Sequence, residues 1–142
     1  MAKSFRDVFF DENPKTIAKI EKALEKKQTL GLLENLKRDL VSETCVDYTK
    51  LRVFVSNNYV CQYNLGIKYD IDIIPLANVS KVYRSSLIGD NFDYDNFHLC
   101  IETTDGIPHL FARMPHGKIA KFKAYDEVIA DIRGRLASQG GM

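Results

Sequence analysis

The sequence predicts an α+β fold: helices first, then about six or seven antiparallel strands, then one long closing helix. Three observations lead to it. Apolar residues recur at helical spacing over the N-terminal third and again near the C-terminus. Between these stretches the period changes to short β-branched and aromatic runs set apart by turn residues. No helical stripe interrupts those runs, which excludes a doubly wound sheet and favours an antiparallel barrel or sandwich.

The helices come first. Asn13-Pro14 has the form of an N-cap followed by proline at the first helical position, where a missing N–H costs nothing. Ile17, Ile20 and Leu24 then follow at i, i+3 and i+7, and beyond Gly31 the same spacing returns at Leu33, Leu36 and Leu40. Residues 14 to 41 therefore read as two short helices or one kinked helix. Glu21, Lys22, Glu25, Lys26, Lys27, Glu34, Lys37, Arg38 and Asp39 between the stripes form a solvated face. Residues 1–45 are expected to make a helical arm, and residues 46–142 a barrel with its C-terminal helix.

The strand region opens with "LRVFVS" and "YVCQYN", separated by Asn57-Asn58. Asparagine tolerates positive φ, so a two-residue hairpin turn is expected there. In "YDIDIIPLANVSKVYRSS" the proline ends a strand over about residues 71–74 and "PLAN" turns the chain. The next strand begins near Val79, with Leu76, Val79 and Val82 inward. In "FHLCIETTDGIPHLFARM" the Asp105-Gly106 pair is the strongest short hairpin signal in the chain. Pairing Thr104 with Ile107 places Phe97, Leu99 and Ile101 opposite Met114, Ala112 and Leu110 on one face. The other face then carries His98, Cys100 and Glu102 opposite Arg113, Phe111 and His109. Phe122, Tyr125, Ile129, Ile132 and Leu136 make the final amphipathic helix, with Ile119 one turn earlier and a start between Gly117 and Tyr125.

Composition narrows the function. A chain of 142 residues with 45% hydrophobic and 27% charged residues is the size and balance of an ordinary globular domain. A formal charge of +1 supplies no overall field to draw a nucleic acid. No apolar run approaches the roughly 20 residues of a membrane span. The three cysteines, Cys45, Cys61 and Cys100, are widely spaced, and neither a C-x-x-C pair nor a secretory leader accompanies them. A cytoplasmic protein is the natural expectation.

Candidate chemistry is sparse. His98, Cys100, Glu102 and His109 share the outer face of the expected hairpin and offer the ligand types of a zinc site, although their spacing is no zinc signature. The simpler reading is a solvent-facing Glu102–His109 cross-strand pair, and no metal or cofactor is expected. His98 and Cys100 lie two residues apart on a strand, roughly 7 Å, too far for an imidazole to activate a thiol. The acidic stretch of Asp90, Asn91, Asp93, Asp95 and Asn96 fails as a calcium loop, because His98 stands where glycine is needed and Thr104 where glutamate is needed. These residues read as turn formers between strands. Lys81, Arg84, Arg113, Lys118, Lys121 and Lys123 could gather at one end of the barrel as a site for an acidic peptide or lipid headgroup; scattered solvated charge is the simpler reading.

"LRVFVSNNYVCQYN", then "IIPLANVSKVY", then "FHLCIETTDG" with the terminal helix together resemble the pleckstrin-homology-like (PH-like) barrel, in particular the bacterial PH-like domains, over about residues 48–137. The resemblance implies an antiparallel barrel of about six or seven strands capped by a C-terminal helix. It also implies a module that binds peptides, proteins or lipid headgroups and is rarely an enzyme. Phosphoinositide-binding members resemble one another in a basic first loop. Here that turn is Ser56-Asn57-Asn58, which lacks the cations that would meet phosphates. The expectation is thus a non-catalytic binding or assembly module with a protein partner or self-association. The alternatives are a small metal-binding or hydrolytic protein using the 97–114 hairpin, and a binder of acidic peptides or headgroups.

Overall fold

The computed structural model describes residues 4–85, 87–88, 91–92, 96–115 and 122–139. The chain is α+β and divides into two units, Met1–Ile74 and Pro75–Met142.

The first unit opens with three helices, α1 (Phe5–Phe9), α2 (Pro14–Lys26) and α3 (Leu33–Leu40), with a 3-10 turn at Leu30–Leu32. Helix α1 is too short to show a periodic stripe in the sequence. It is capped by the Ser4 hydroxyl, which accepts the Asp7 N–H at 3.1 Å. Helix α2 starts as its sequence implies, with Asn13 Oδ1 accepting the Lys15 N–H at 3.0 Å and Pro14 leading the helix. It ends where Gln28 takes a φ of 58° and the Thr29 hydroxyl donates to the Leu24 carbonyl. The stretch 14 to 41 is therefore two helices. Thr16, Ile20, Ala23 and Leu24 form the buried line of α2, whereas Ile17 is 41% exposed.

Four strands follow, β1 (Val46–Tyr48), β2 (Val53–Val55), β3 (Tyr59–Leu65) and β4 (Tyr69–Pro75), hydrogen-bonded in that order. Val55 pairs with Val60 and Phe54 with Cys61, so the turn is Asn57-Asn58 as expected, closed by the Ser56 N–H donating to the Tyr59 carbonyl at 2.9 Å. Neither asparagine has positive φ, however. The Ser56 hydroxyl instead accepts the N–H groups of Asn58 at 3.2 Å and Tyr59 at 3.0 Å, and donates to Asp39 at 2.6 Å. Asp39 also accepts both contacts of the Asn58 amide, at 3.0 and 3.1 Å, which ties the turn to α3.

One face of this sheet carries Phe54, Tyr59, Cys61, Tyr63, Ile71 and Ile73, and the helices supply Phe5, Leu24, Leu36 and Leu40 to the same core. The helical arm expected over residues 1–45 thus packs on the sheet of its own chain. At the sheet's β4 edge Lys27 reaches Asp72 at 3.1 Å and Asp70 at 3.9 Å, and Lys19 lies 5.2 Å from the centre of the Tyr69 ring.

The second unit begins with the turn "LAN" (Leu76–Asn78), just past the proline that ends β4. Strands β5 (Val79–Ser85), β8 (Asn96–Thr103) and β9 (Pro108–Pro115) form an antiparallel sheet in the order β5-β8-β9, and β6 (Leu87–Ile88) pairs with β7 (Asn91–Phe92). Leu76, Val79 and Val82 are buried, as their spacing implies. Asp90, Asp93 and Asp95 lie outside the described residues, while Asn91 and Asn96 belong to strands. The chain's last element is α4 (Phe122–Ser138), which packs on β5 and buries Tyr125, Val128, Ile129 and Ile132. Arg133 Nη2 donates to the Val82 carbonyl at 2.9 Å, and Arg84 lies 3.9 Å from Asp126. Ile119 lies outside the described residues. Among the described residues the strand pairing closes no barrel.

The register of the second hairpin differs by one residue from the expected one. Glu102 pairs with Pro108, Ile101 with His109, Cys100 with Leu110 and Leu99 with Phe111. The loop holds Thr104, Asp105 and Gly106 instead of Asp105-Gly106 alone. Gly106 takes a φ of 82° and donates its N–H to the Thr103 carbonyl at 2.9 Å, the arrangement of a three-residue hairpin loop. Asp105 selects it. Its Oδ1 accepts the Thr103 hydroxyl and, at 3.1 Å, the Ile107 N–H, spanning the loop from one strand to the other. A bulge between Phe97 and Leu99 then restores the expected pairing of Phe97 with Met114.

Candidate functional site

The one-residue slip rearranges the residues from which a zinc site was imagined. Directly paired residues share a face, so His109 stands with Ile101 and Phe111, while Cys100 and Glu102 stand on the other side with Leu110. Glu102 and His109 are thus not a cross-strand pair. The His109 Nε2 lies 3.4 Å from the Thr103 hydroxyl instead. His98 and Cys100 are not solvent-facing either, with exposures of 4% and 2%. They sit on the central strand of the sheet, where neighbours on both sides remove the backbone from water. Among the described residues no group of three or more His, Cys, Asp or Glu side chains is gathered to hold a metal ion.

Two of the three thiols, those of Cys61 and Cys100, are buried. Burial first, and the Glu102 charge second, push the Cys100 thiol up. Cys61 is fully buried and pushed well up by desolvation, with Asp39 and Asp72 adding to the effect. A neutral buried thiol is neither a nucleophile nor a metal ligand. Partial burial, followed by a hydrogen bond with Glu102, raises Tyr83, which pairs with Cys100 across β5 and β8. At the hairpin tip the Asp105 carboxyl is held below its usual range, by the Thr103 hydroxyl first and the Ile107 N–H next.

The cationic candidates lie only in part among the described residues. Lys81 is exposed and paired in register with Glu102, and Arg84 is engaged with Asp126. Arg113 lies in β9, and Lys118 and Lys121 fall outside the described residues. Lys123 is exposed on the first turn of α4.

A second polar group in the first unit has no counterpart among the candidate residues of the sequence. Asp47 of β1 accepts the Tyr63 hydroxyl at 2.5 Å through Oδ1 and the Phe5 N–H at 3.3 Å through Oδ2. Phe54 pairs with Asp47 in register, so all these groups share the helix-facing side of the sheet. The Phe5 ring stacks on Tyr63 with centroids 4.6 Å apart and meets Phe54 at 5.3 Å and Phe9 at 4.8 Å. Burial first, then the bond to Asp47, push the Tyr63 phenol far above its ordinary value, so it is a permanent donor. The only sequence signal was the aromatic density of "SFRDVFF".

No protein-family model matches this chain, and neither a curated protein nor a solved structure matches it.

Proposed function

We propose that the chain is a non-catalytic binding or assembly module built on a PH-like framework, working in the cytoplasm through a protein partner or through self-association. The observation that carries this reading is the order of elements. Antiparallel strands, four in one sheet and three in the next, run without an intervening long helix and are followed by a single helix packed on β5. That is the succession the PH-like resemblance implies, and such frameworks serve recognition more than catalysis.

Local chemistry points the same way. The thiols of Cys61 and Cys100 are buried and held neutral, and the register slip separates His109 from Cys100 and Glu102. No helix among the described residues is long and apolar enough to cross a membrane.

Light scattering on the full chain over a wide concentration range, combined with cross-linking in an extract of its source cell, tests the reading. A concentration-dependent dimer, or one stoichiometric partner that survives high salt, is expected. A chain that stays monomeric, cross-links to nothing and carries stoichiometric metal by native mass spectrometry refutes it.

A further inference from the structure

We propose that Lys15, Lys19, Lys22 and Lys26 of α2, together with Ile67 and Lys68 of the turn between β3 and β4, form a docking surface for an anionic lipid bilayer. The inference goes beyond the reading of the chain as an assembly module and does not depend on it.

The surface follows from how α2 sorts its charges. At about 100° per residue, the steps of four, three and four between these lysines keep them within an arc of about 60°, in a row about 16 Å long. Each is exposed. The row runs beside the buried line of Thr16, Ile20, Ala23 and Leu24, whereas Glu21 and Glu25 fall about 90–130° round the helix from its centre. Lysines three and four apart on a helix repel one another, so the stability of α2 gives no reason to stack them. Nor are they neutralised from elsewhere. Among the described residues no carboxylate pairs with Lys15, Lys19, Lys22, Lys26 or Lys68, and Asp70 and Asp72 at the β4 edge are engaged by Lys27.

An apolar group adjoins the row. Lys19 Nζ lies 5.2 Å from the centre of the Tyr69 ring, which places the row beside the start of β4. In the turn that leads into that strand Ile67 is 93% exposed, the barest large hydrophobic side chain among the described residues, and Lys68 beside it is exposed too. Cations next to an uncovered aliphatic tip suit a bilayer. Lysines meet the lipid phosphates and carboxylates as point charges, and the isoleucine enters the acyl boundary. A nucleic acid would gain little from Ile67 and is better met by arginine forks or stacking rings, which the row lacks. The surface also lies apart from the Ser56-Asn57-Asn58 turn, where the PH-like resemblance would place phosphate contacts and where no cation stands.

Sedimentation of the full chain with phosphatidylcholine vesicles that contain increasing phosphatidylserine tests the proposal. Binding should rise with the phosphatidylserine fraction and fall at least about tenfold between about 0.05 M and about 0.5 M salt. Lys15→Gln combined with Lys22→Gln, which keeps helix propensity, should weaken it about 30-fold, or about fivefold per lysine. Ile67→Ser should weaken it about tenfold even at low salt. Arg38→Gln, the loss of a charge on α3, should leave it within about twofold. All these positions are exposed, so unchanged urea midpoints show that each variant is folded. A chain that ignores phosphatidylserine vesicles at low salt overturns the proposal. So does a row variant or an Ile67→Ser chain that binds as well as the parent, or retention of single-stranded RNA in place of vesicles. Self-association is read separately by light scattering, so either result can fail without the other.

Discussion

Ser56→Ala should destabilise the first unit by about 2–4 kcal/mol, a large effect for one hydroxyl in a turn. The oxygen is buried and makes three bonds at once: it donates to the Asp39 carboxylate at 2.6 Å and accepts from the N–H groups of Asn58 and Tyr59. A hydrogen bond to a charged group contributes about 1.5–3 kcal/mol, and depriving a buried N–H such as that of Tyr59 of its acceptor adds about 1 kcal/mol or more. Asp39→Ala removes the same charge-assisted bond together with the two Asn58 contacts, so it should cost about 1.5–3 kcal/mol. Because the two side chains share one bond, the double variant should fall short of the sum by about 1–2 kcal/mol. Urea unfolding followed by tyrosine fluorescence measures the four chains, since the sequence has no tryptophan. Midpoint shifts of about 1 M are expected for the single variants. Additivity within about 0.3 kcal/mol would refute the claim that Asp39 and Ser56 act as one unit in fixing a turn whose asparagines lack positive φ.

Gly106→Ala should destabilise the second unit by about 1–2 kcal/mol through its φ of 82° alone, because nothing lies within 4 Å of the added Cβ, whereas Arg52→Gly at a φ of 56° should be neutral or stabilising; thermal melts of both compare the signs. In native protein, alkylation followed by peptide mass mapping should label the half-buried Cys45 at least about 100-fold faster than the buried Cys61 and Cys100, and denaturant should remove the difference. Tyr125 is fully buried and desolvation pushes its phenol up to about 12, above the ordinary value of about 10, so its contribution is complete below about pH 10 and is lost as pH rises through 12; Tyr125→Phe should flatten the fall of stability across that window in alkaline unfolding titrations.

Sequence patterning was most legible where a local residue dictated the backbone directly. Asn13-Pro14 starts α2, the proline in "IIPLAN" ends β4, and Leu76, Val79 and Val82 turn inward, each because the backbone geometry allows little else. It was least legible where tertiary contact made the choice. Helix α1 has only Phe5, Val8 and Phe9 to mark its buried side and is held by Tyr63 and Asp47, residues far along the chain. Ile17 fitted the stripe yet faces solvent, because the sheet receives α2 along Thr16, Ile20 and Ala23. The Asp47–Tyr63–Phe5 group joins β1, β3 and α1, and no spacing rule connects them.

The second hairpin shows how much chemistry can hang on one turn. Side chains alternate along a strand, so a loop longer by one residue transfers every side chain of β9 to the opposite face relative to β8 until something restores the count. Asp105, by accepting from both Thr103 and Ile107, favours the longer loop, and Gly106 supplies the left-handed residue that such a loop requires. Between the tip and the bulge near Phe97 the register is therefore set by two turn residues. Within that interval lie Cys100, Glu102 and His109. Had Thr104 paired with Ile107, a histidine and a carboxylate would have faced each other across the strands with a thiol on the diagonal. With Ile101 opposite His109, the imidazole joins a face of Leu99, Ile101 and Phe111 and rests against the Thr103 hydroxyl, while Glu102 is left to Tyr83 and Lys81. The loop residues thus disperse the hairpin's polar side chains over both faces of the sheet.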